Sequence, residues 1–204
     1  MQPYLIPASP VTVSEEIKKS RFITLLAHTS GVNEAKDFIQ QVKLQHLTAR
    51  HHCWAFVAGR PTDSQQLGFS DDGEPSGTAG KPILAQLMGS GIGEITAVVV
   101  RYYGGIKLGT GGLVRAYGSG VQQALKQIEV KYKVPQVEYT LQCDYGQLAI
   151  VETLLQQVEG QIIGSEYAQF VTLHLSLPAT QASQVGDKLR DLSRGTLQLT
   201  PISQ

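Results

Sequence analysis

Residues 95–117 read ITAVVVRYYGGIKLGTGGLVRAY, and their rhythm changes twice. Ile95–Tyr103 is apolar at successive positions at its start, the pattern of a central strand covered on both faces. Residues 104–112, GGIKLGTGG, break that pattern and predict a glycine-rich connector. A helix is expected after it, with Leu113, Ala116, Tyr117, Val121, Ala124, Leu125 and Ile128 on one stripe. Strand, glycines and helix in that order bring unpaired N–H groups and the positive end of a helix dipole together, where an anion is stabilised. Lys107 and Arg115 add charge, and Arg101 shares a strand face with Tyr103, whose ring could stack on a base. Gly104, Gly105, Gly109, Gly111 and Gly112 equally fit a second explanation, in which they only permit tight packing.

Outward from this stretch, the N-terminal part predicts a strand pair at Val11–Lys18 and Arg21–His28, then a helix from Val32 to about Leu47 with Ser30 as its cap. A strand follows at Cys53–Ala58, residues 60–78 read as loop, and a short helix is expected at Ile83–Met88, its start at Lys81-Pro82 suiting proline in the first turn. A first domain closes near residue 130. From Val134 the chain predicts strand Val134–Cys143, a helix carrying Leu148 to Val158, strands Gln161–Tyr167 and Phe170–Leu177, a helix carrying Ala182 to Leu192, and strand Thr196–Ile202. That order is the split βαβ, ferredoxin-like unit, with Gly160 and Gly195 placed to end its helices. The expectation is an α+β chain of two domains, 1–130 and 134–204.

The 204 residues carry 17 Lys+Arg and 17 Asp+Glu, and 42% are apolar, which excludes a disordered chain. The balance hides an asymmetry. Residues 1–127 hold 12 basic and 9 acidic side chains, a net of +3, and residues 128–204 hold 5 and 8, a net of −3. Of the 21 glycines, 14 fall between Gly68 and Gly120, which is where function is sought. No apolar run approaches the roughly 18 residues of a membrane span, and no secretory leader is read at the start. Two cysteines, Cys53 and Cys143, form no disulfide framework. A cytoplasmic chain without membrane partners is expected.

Familiar catalytic signatures fail. The Gly80-Lys81 pair has Pro75 where a P-loop needs glycine and Pro82 where it needs a hydroxyl. Gly89-Ser90-Gly91-Ile92-Gly93 lacks the last glycine of a dinucleotide fingerprint, and Gly109-Thr110-Gly111 meets Val114 there. Nucleophile elbows and zinc motifs are absent. His51-His52-Cys53 cannot converge on one ion, because adjacent strand residues face opposite ways, so His51 is kept only as a polar candidate and no metal is assigned. The segment holding Asp71, Asp72, Gly73, Glu74, Ser76, Gly77 and Thr78 has three carboxylates in four residues, a feature of hard-cation sites and also of solvated loops and helix caps.

Two stretches, SDDGEPSGTAGKPIL (Ser70–Leu84) and VVVRYYGGIKLGTGGLVRAY (Val98–Tyr117), together resemble the signature of the IMPACT family. The resemblance extends to Lys18-Lys19-Ser20-Arg21-Phe22-Ile23 and to Ala49–Phe56, where His51 sits at the family's usual histidine. It implies a first domain similar to the second domain of a small-subunit ribosomal protein and a second similar to the last domain of elongation factor G. Eukaryotic members are associated with translational control through an additional N-terminal partner-binding domain, which the ten or so residues before the first predicted strand do not provide.

These readings together favour a non-catalytic RNA- or ribosome-binding protein associated with regulation of translation, with translation factors as further partners and no cofactor. Its phosphate-binding residues would be Lys81, Arg101, Tyr103, Lys107, Arg115 and the glycines 104, 105, 109, 111 and 112. The alternatives are an enzyme or binder of a small phosphorylated ligand using the same basic face, and a protein-interaction module using the acidic second domain.

Overall fold

The computed structural model describes residues 2–202. Residues Tyr4–Lys133 cluster as one compact unit and the residues from Val134 onward as another.

The first unit contains β1 (Tyr4–Pro7), β2 (Val11–Ile17), β3 (Ser20–His28), α1 (Gly31–Gln45), β4 (His51–Val57), β5 (Leu67–Ser70), α2 (Gly80–Ser90), β6 (Ile95–Tyr102), α3 (Gly109–Gln127) and β7 (Val130–Lys133). Its main sheet runs β2-β3-β6-β4-β5, all antiparallel, with β6 in the middle. The double-sided apolar pattern of β6 has a direct cause. Ile95, Ala97 and Val99 pack under α2 and α3 with Ile83, Leu87, Tyr117 and Val121, while Val98 and Val100 pack under α1 with Ala35, Ile39 and Val42. Each fully buried aliphatic or aromatic side chain here contributes about 1.5–3 kcal/mol, so both helical layers are held by burial rather than by propensity.

Several boundaries differ from the sequence reading. α3 begins at Gly109, inside the expected connector, because Gly109 itself adopts φ +73° and turns the chain into the helix. Gly111 and Gly112 therefore belong to its first turn. α2 is longer than expected, starting at Gly80. β5 lies in what reads as loop, and β4 takes in His51 and His52. β1 and β7 form a separate ribbon, Tyr4 opposite Lys133, that short-range pattern does not reveal.

The second unit contains β8 (Gln136–Cys143), α4 (Leu148–Gln157), β9 (Gln161–Tyr167), β10 (Val171–Pro178), α5 (Ala182–Leu192) and β11 (Thr200–Pro201). The strand order β11-β8-β10-β9, all antiparallel, is that of a split βαβ unit. β10 alternates cleanly, with Val171, Leu173, Leu175 and Leu177 buried against α4 and α5. β11 is only two residues long. Leu197, fully buried, turns into the core, and Pro201 has no N–H for a longer ladder. At the end of α4 the left-handed residue is Glu159, φ +57°, rather than Gly160; a Cβ on Gly160 would lie 2.8 Å from a Leu177 methyl, so that glycine serves packing.

Candidate functional site

The acidic loop is built before anything binds to it. The Asp71 carboxylate accepts hydrogen bonds from the N–H groups of Gly77 (2.9 Å), Ala79 (3.1 Å) and Gly80 (2.8 Å), and so caps the start of α2 from outside the helix. Burial would raise its pKa, but these three donors and Lys81 hold it below the usual carboxylate range. The Asp72 carboxylate accepts from the His52 N–H at 2.7 Å, and the Thr78 hydroxyl donates to the Pro75 carbonyl. Gly73 and Gly77 supply left-handed backbone, and Ser76 is exposed. Among the described residues no group of three or more His, Cys, Asp or Glu side chains is placed to hold a metal.

Glu74 does something else. Its side chain is 4% exposed, and one oxygen, Oε1, accepts from Arg101 Nη1 at 2.6 Å and from the Tyr117 hydroxyl at 2.7 Å. Tyr117 comes from α3 and is fully buried, held edge-on against Phe22; burial, then the neighbouring Cys53 and Glu74, push its hydroxyl pKa far up. Burial does the same to the Cys53 thiol, which donates to the Asp71 carbonyl. Arg101 also donates to Ser20 Oγ, and Ser20 in turn accepts the Gly104 N–H. A Cβ on Gly104 would fall on the Lys19 carbonyl, so this glycine is required by close packing. Arg101 is therefore an internal counter-ion to Glu74, not the free phosphate ligand that its position on the strand implies. Breaking such a buried pair costs about 3–5 kcal/mol.

Above this pair lies a cleft of about 360 Å³. Glu74 and Arg101 form its floor, and Pro75, Leu108 and Leu113 supply apolar wall. Arg50, His51, Tyr103 and Lys107 line it, as do Gly109 and Thr110 of the first turn of α3. Leu108 makes no side-chain cap there. The β4–β6 register sets His51 directly opposite Arg101, which brings both to the cleft. His51 Nδ1 lies 2.8 Å from the Asp72 carbonyl and must be the donor, so in the neutral ring Nε2 is the acceptor. The guanidinium carbons of Arg50 and Arg101 sit 5.2 and 5.4 Å from the Tyr103 ring centroid. An exposed contact of this kind contributes about 0.5–1 kcal/mol.

Of the residues singled out from sequence, His51, Glu74, Arg101, Tyr103, Lys107 and Gly109 line the cleft. Lys81, Gly104, Gly105, Gly111, Gly112 and Arg115 do not. Arg115 is exposed, its guanidinium beside Gly111. Sequence reasoning missed Arg50, because an arginine just before a strand carries no local signal; only the register of β4 on β6 brings it in. The second unit offers less: a depression of about 520 Å³ lies beside α5, and its one cation, Arg190, is paired with Asp187 at 3.3 Å.

The two halves of the chain match different families, the Impact N-terminal domain over residues 18–125 and a "Domain of unknown function (DUF1949)" over residues 141–196. The chain is 65% identical to the IMPACT family member YigZ of Escherichia coli strain K12 over 204 residues, covering all of both chains. It is 55% identical to an IMPACT family member of Haemophilus influenzae over 97% of this chain and 96% of that one. It is also 38% identical to the IMPACT family member YvyE of Bacillus subtilis, over 88% and 82%. A solved structure described as "Crystal structure of an hypothetical protein" superposes with a TM-score of 0.83 at 65% identity, covering 100% of this chain and 99% of that one. The motif stretches that bear the resemblance, Ser70–Leu84 and Val98–Tyr117, both fall within the first of these matches, and with it the chain belongs to the IMPACT family.

Proposed function

We propose that this protein is a non-catalytic RNA- or ribosome-binding protein associated with regulation of translation, and that its first unit binds RNA phosphate in the cleft at the start of α3. One observation carries the reading. Arg50 and Lys107, neither in an ion pair among the described residues, share a single concavity with Tyr103 and the uncapped N–H groups of Gly109 and Thr110. A charge-assisted hydrogen bond contributes about 1.5–3 kcal/mol and a stacked base about 1–3 kcal/mol, against the smaller cation–π contact that Arg50 gives up. The similarity that the family resemblance implies, of the first domain to part of a small-subunit ribosomal protein and of the second to the last domain of elongation factor G, points to the same apparatus.

The test is RNA affinity by fluorescence anisotropy, across a salt series, for wild type and for the Arg50→Ala, Lys107→Ala variant. Wild-type log affinity should fall linearly with log salt, by about 0.7 per phosphate contact on a single strand, and the double variant should lose close to two contacts from that slope. A slope that the two substitutions leave unchanged would remove the cleft from RNA binding. The limited volume of the cleft is the observation that favours the second reading, a small phosphorylated ligand, which would show as binding of a free nucleotide with no gain from a longer strand.

A further inference from the structure

We propose that the cleft takes the last nucleotide of an RNA strand with its terminal phosphate: Tyr103 meets the base, Arg50 and Lys107 meet the phosphate, and His51 accepts a ribose hydroxyl. This rests on the reading of the cleft as an RNA-binding site. Three observations carry it further than phosphate binding in general.

The first is the unmet acceptor. With Nδ1 committed to the Asp72 carbonyl, His51 turns Nε2 toward the cleft, 3.8 Å from Glu74 Oε1 and too far from it for a hydrogen bond. Oε1 already accepts from Arg101 and Tyr117, so Nε2 of the neutral ring is the acceptor left open to a donor in the cleft. A sugar hydroxyl is such a donor and a phosphodiester oxygen is not, so His51 selects for ribose. The second is size, since about 360 Å³ lies at the low end of the roughly 300–1,000 Å³ found for small-ligand clefts and suits one nucleotide rather than a run of them.

The third is the asymmetry of the walls. On one side stands the loop from Asp71 to Glu74, with the Gly73 backbone against the His51 ring and its three carboxylates already committed to backbone N–H groups, Lys43 and Arg101. On the other are Lys107 and, against Gly104, the exposed Lys18-Lys19 turn that joins β2 to β3, none of them in an ion pair among the described residues. A strand can leave the cleft along the free basic side and meets only committed charges along the loop, so the nucleotide in the cleft is a terminal one. Arg50 covers the Tyr103 ring; a base that takes its place on the ring releases the guanidinium for the terminal phosphate.

The experiment compares ten-uridine RNAs carrying a 5′ phosphate, a 3′ phosphate or hydroxyls at both ends, the matching DNA, and free UMP as competitor. One of the two phosphorylated RNAs should bind about tenfold tighter than the dihydroxyl strand, and Arg50→Ala should abolish that preference. His51→Ala should erase the preference for RNA over DNA; His51→Gln, which retains an acceptor, should restore part of it, and melting temperatures report whether each variant folds. UMP should compete far more weakly than the oligomer. Equal binding of all three RNAs, with the Arg50→Ala, Lys107→Ala variant still defective, overturns the terminal-nucleotide proposal and leaves the RNA-binding cleft standing. UMP competing as well as the oligomer overturns the strand end in favour of a free nucleotide. Absence of any RNA binding by wild type overturns both.

Discussion

β6 has a buried carboxylate at each end, and the two are satisfied in opposite ways. Glu94, one residue before the strand, takes hydrogen bonds from Tyr4 (2.8 Å), His28 (2.6 Å) and Lys133, which come from three different strands. Its backbone is left-handed, φ +51°, and its side chain is 4% exposed. Burial and Glu94 together push the Tyr4 hydroxyl up to about 12. Glu74, at the Arg101 end, is equally buried, but among the described residues its hydrogen bonds from Arg101 and Tyr117 both fall on one oxygen, beneath an open cleft. A carboxylate surrounded by donors ties elements together; one held from below by Arg101 and Tyr117 fixes the floor of a site and leaves the side above it for a ligand.

The largest effect expected from this contrast is at the cleft floor. Arg101→Ala leaves Glu74 buried without its counter-ion and should cost about 3–5 kcal/mol in urea unfolding of the whole chain. A loss below about 1 kcal/mol would mean that Arg101 is not structural and is available to a ligand after all. Next comes the loop beside it. Asp71→Ala strands three N–H groups at the entry to α2 and should cost about 1–2 kcal/mol, with hydrogen exchange quickening first at Ala79 and Gly80.

At the sealed end the effect is smaller and depends on pH. Burial opposes ionisation of Glu94, but hydrogen bonds from Lys133, His28 and Tyr4 outweigh it and hold its pKa below the usual 4.5. A depressed pKa means that the stabilisation is fully present above about pH 4.5 and is lost as pH falls through the folded-state value. Lys133 and His28 are each 39% exposed, so water screens their contribution. The difference in melting temperature between wild type and Glu94→Gln should be greatest at neutral pH and shrink on acidification below that point; a gap that widens in acid would show that the carboxylate is not the stabilising form. The smallest effect is expected at Arg115 and Lys81, outside the cleft. Alanine at either should change RNA affinity less than twofold and stability by no more than about 0.5 kcal/mol, and a tenfold affinity loss at Arg115 would extend the site along α3.

Much of the fold is legible in the chain's local pattern. The run Ile95–Val100 announced a strand covered twice, and the α1 and α3 stripes announced the helices that cover it. The edge strand β5 was not legible, since Leu67–Ser70 is four residues long and none of them is buried. The candidate site was half legible: glycine density and Lys107 pointed to the connector that borders the cleft, whereas Arg115 lies a turn further along α3, exposed and outside the cleft lining.

Local pattern alone dictates whatever repeats along the chain. Period-two and period-3.6 burial made β10, α4 and α5, and with them the split βαβ order, because each side chain's burial is set by its neighbours two to four residues away. Which charges remain free is settled by long-range contacts in the fold. Arg101 is neutralised by Glu74, 27 positions earlier, and bonded to Ser20, 81 positions earlier, while Arg50 reaches the cleft through strand register alone. Counter-ions and hydrogen-bond partners are chosen by proximity in space, and no local pattern in the chain records that choice.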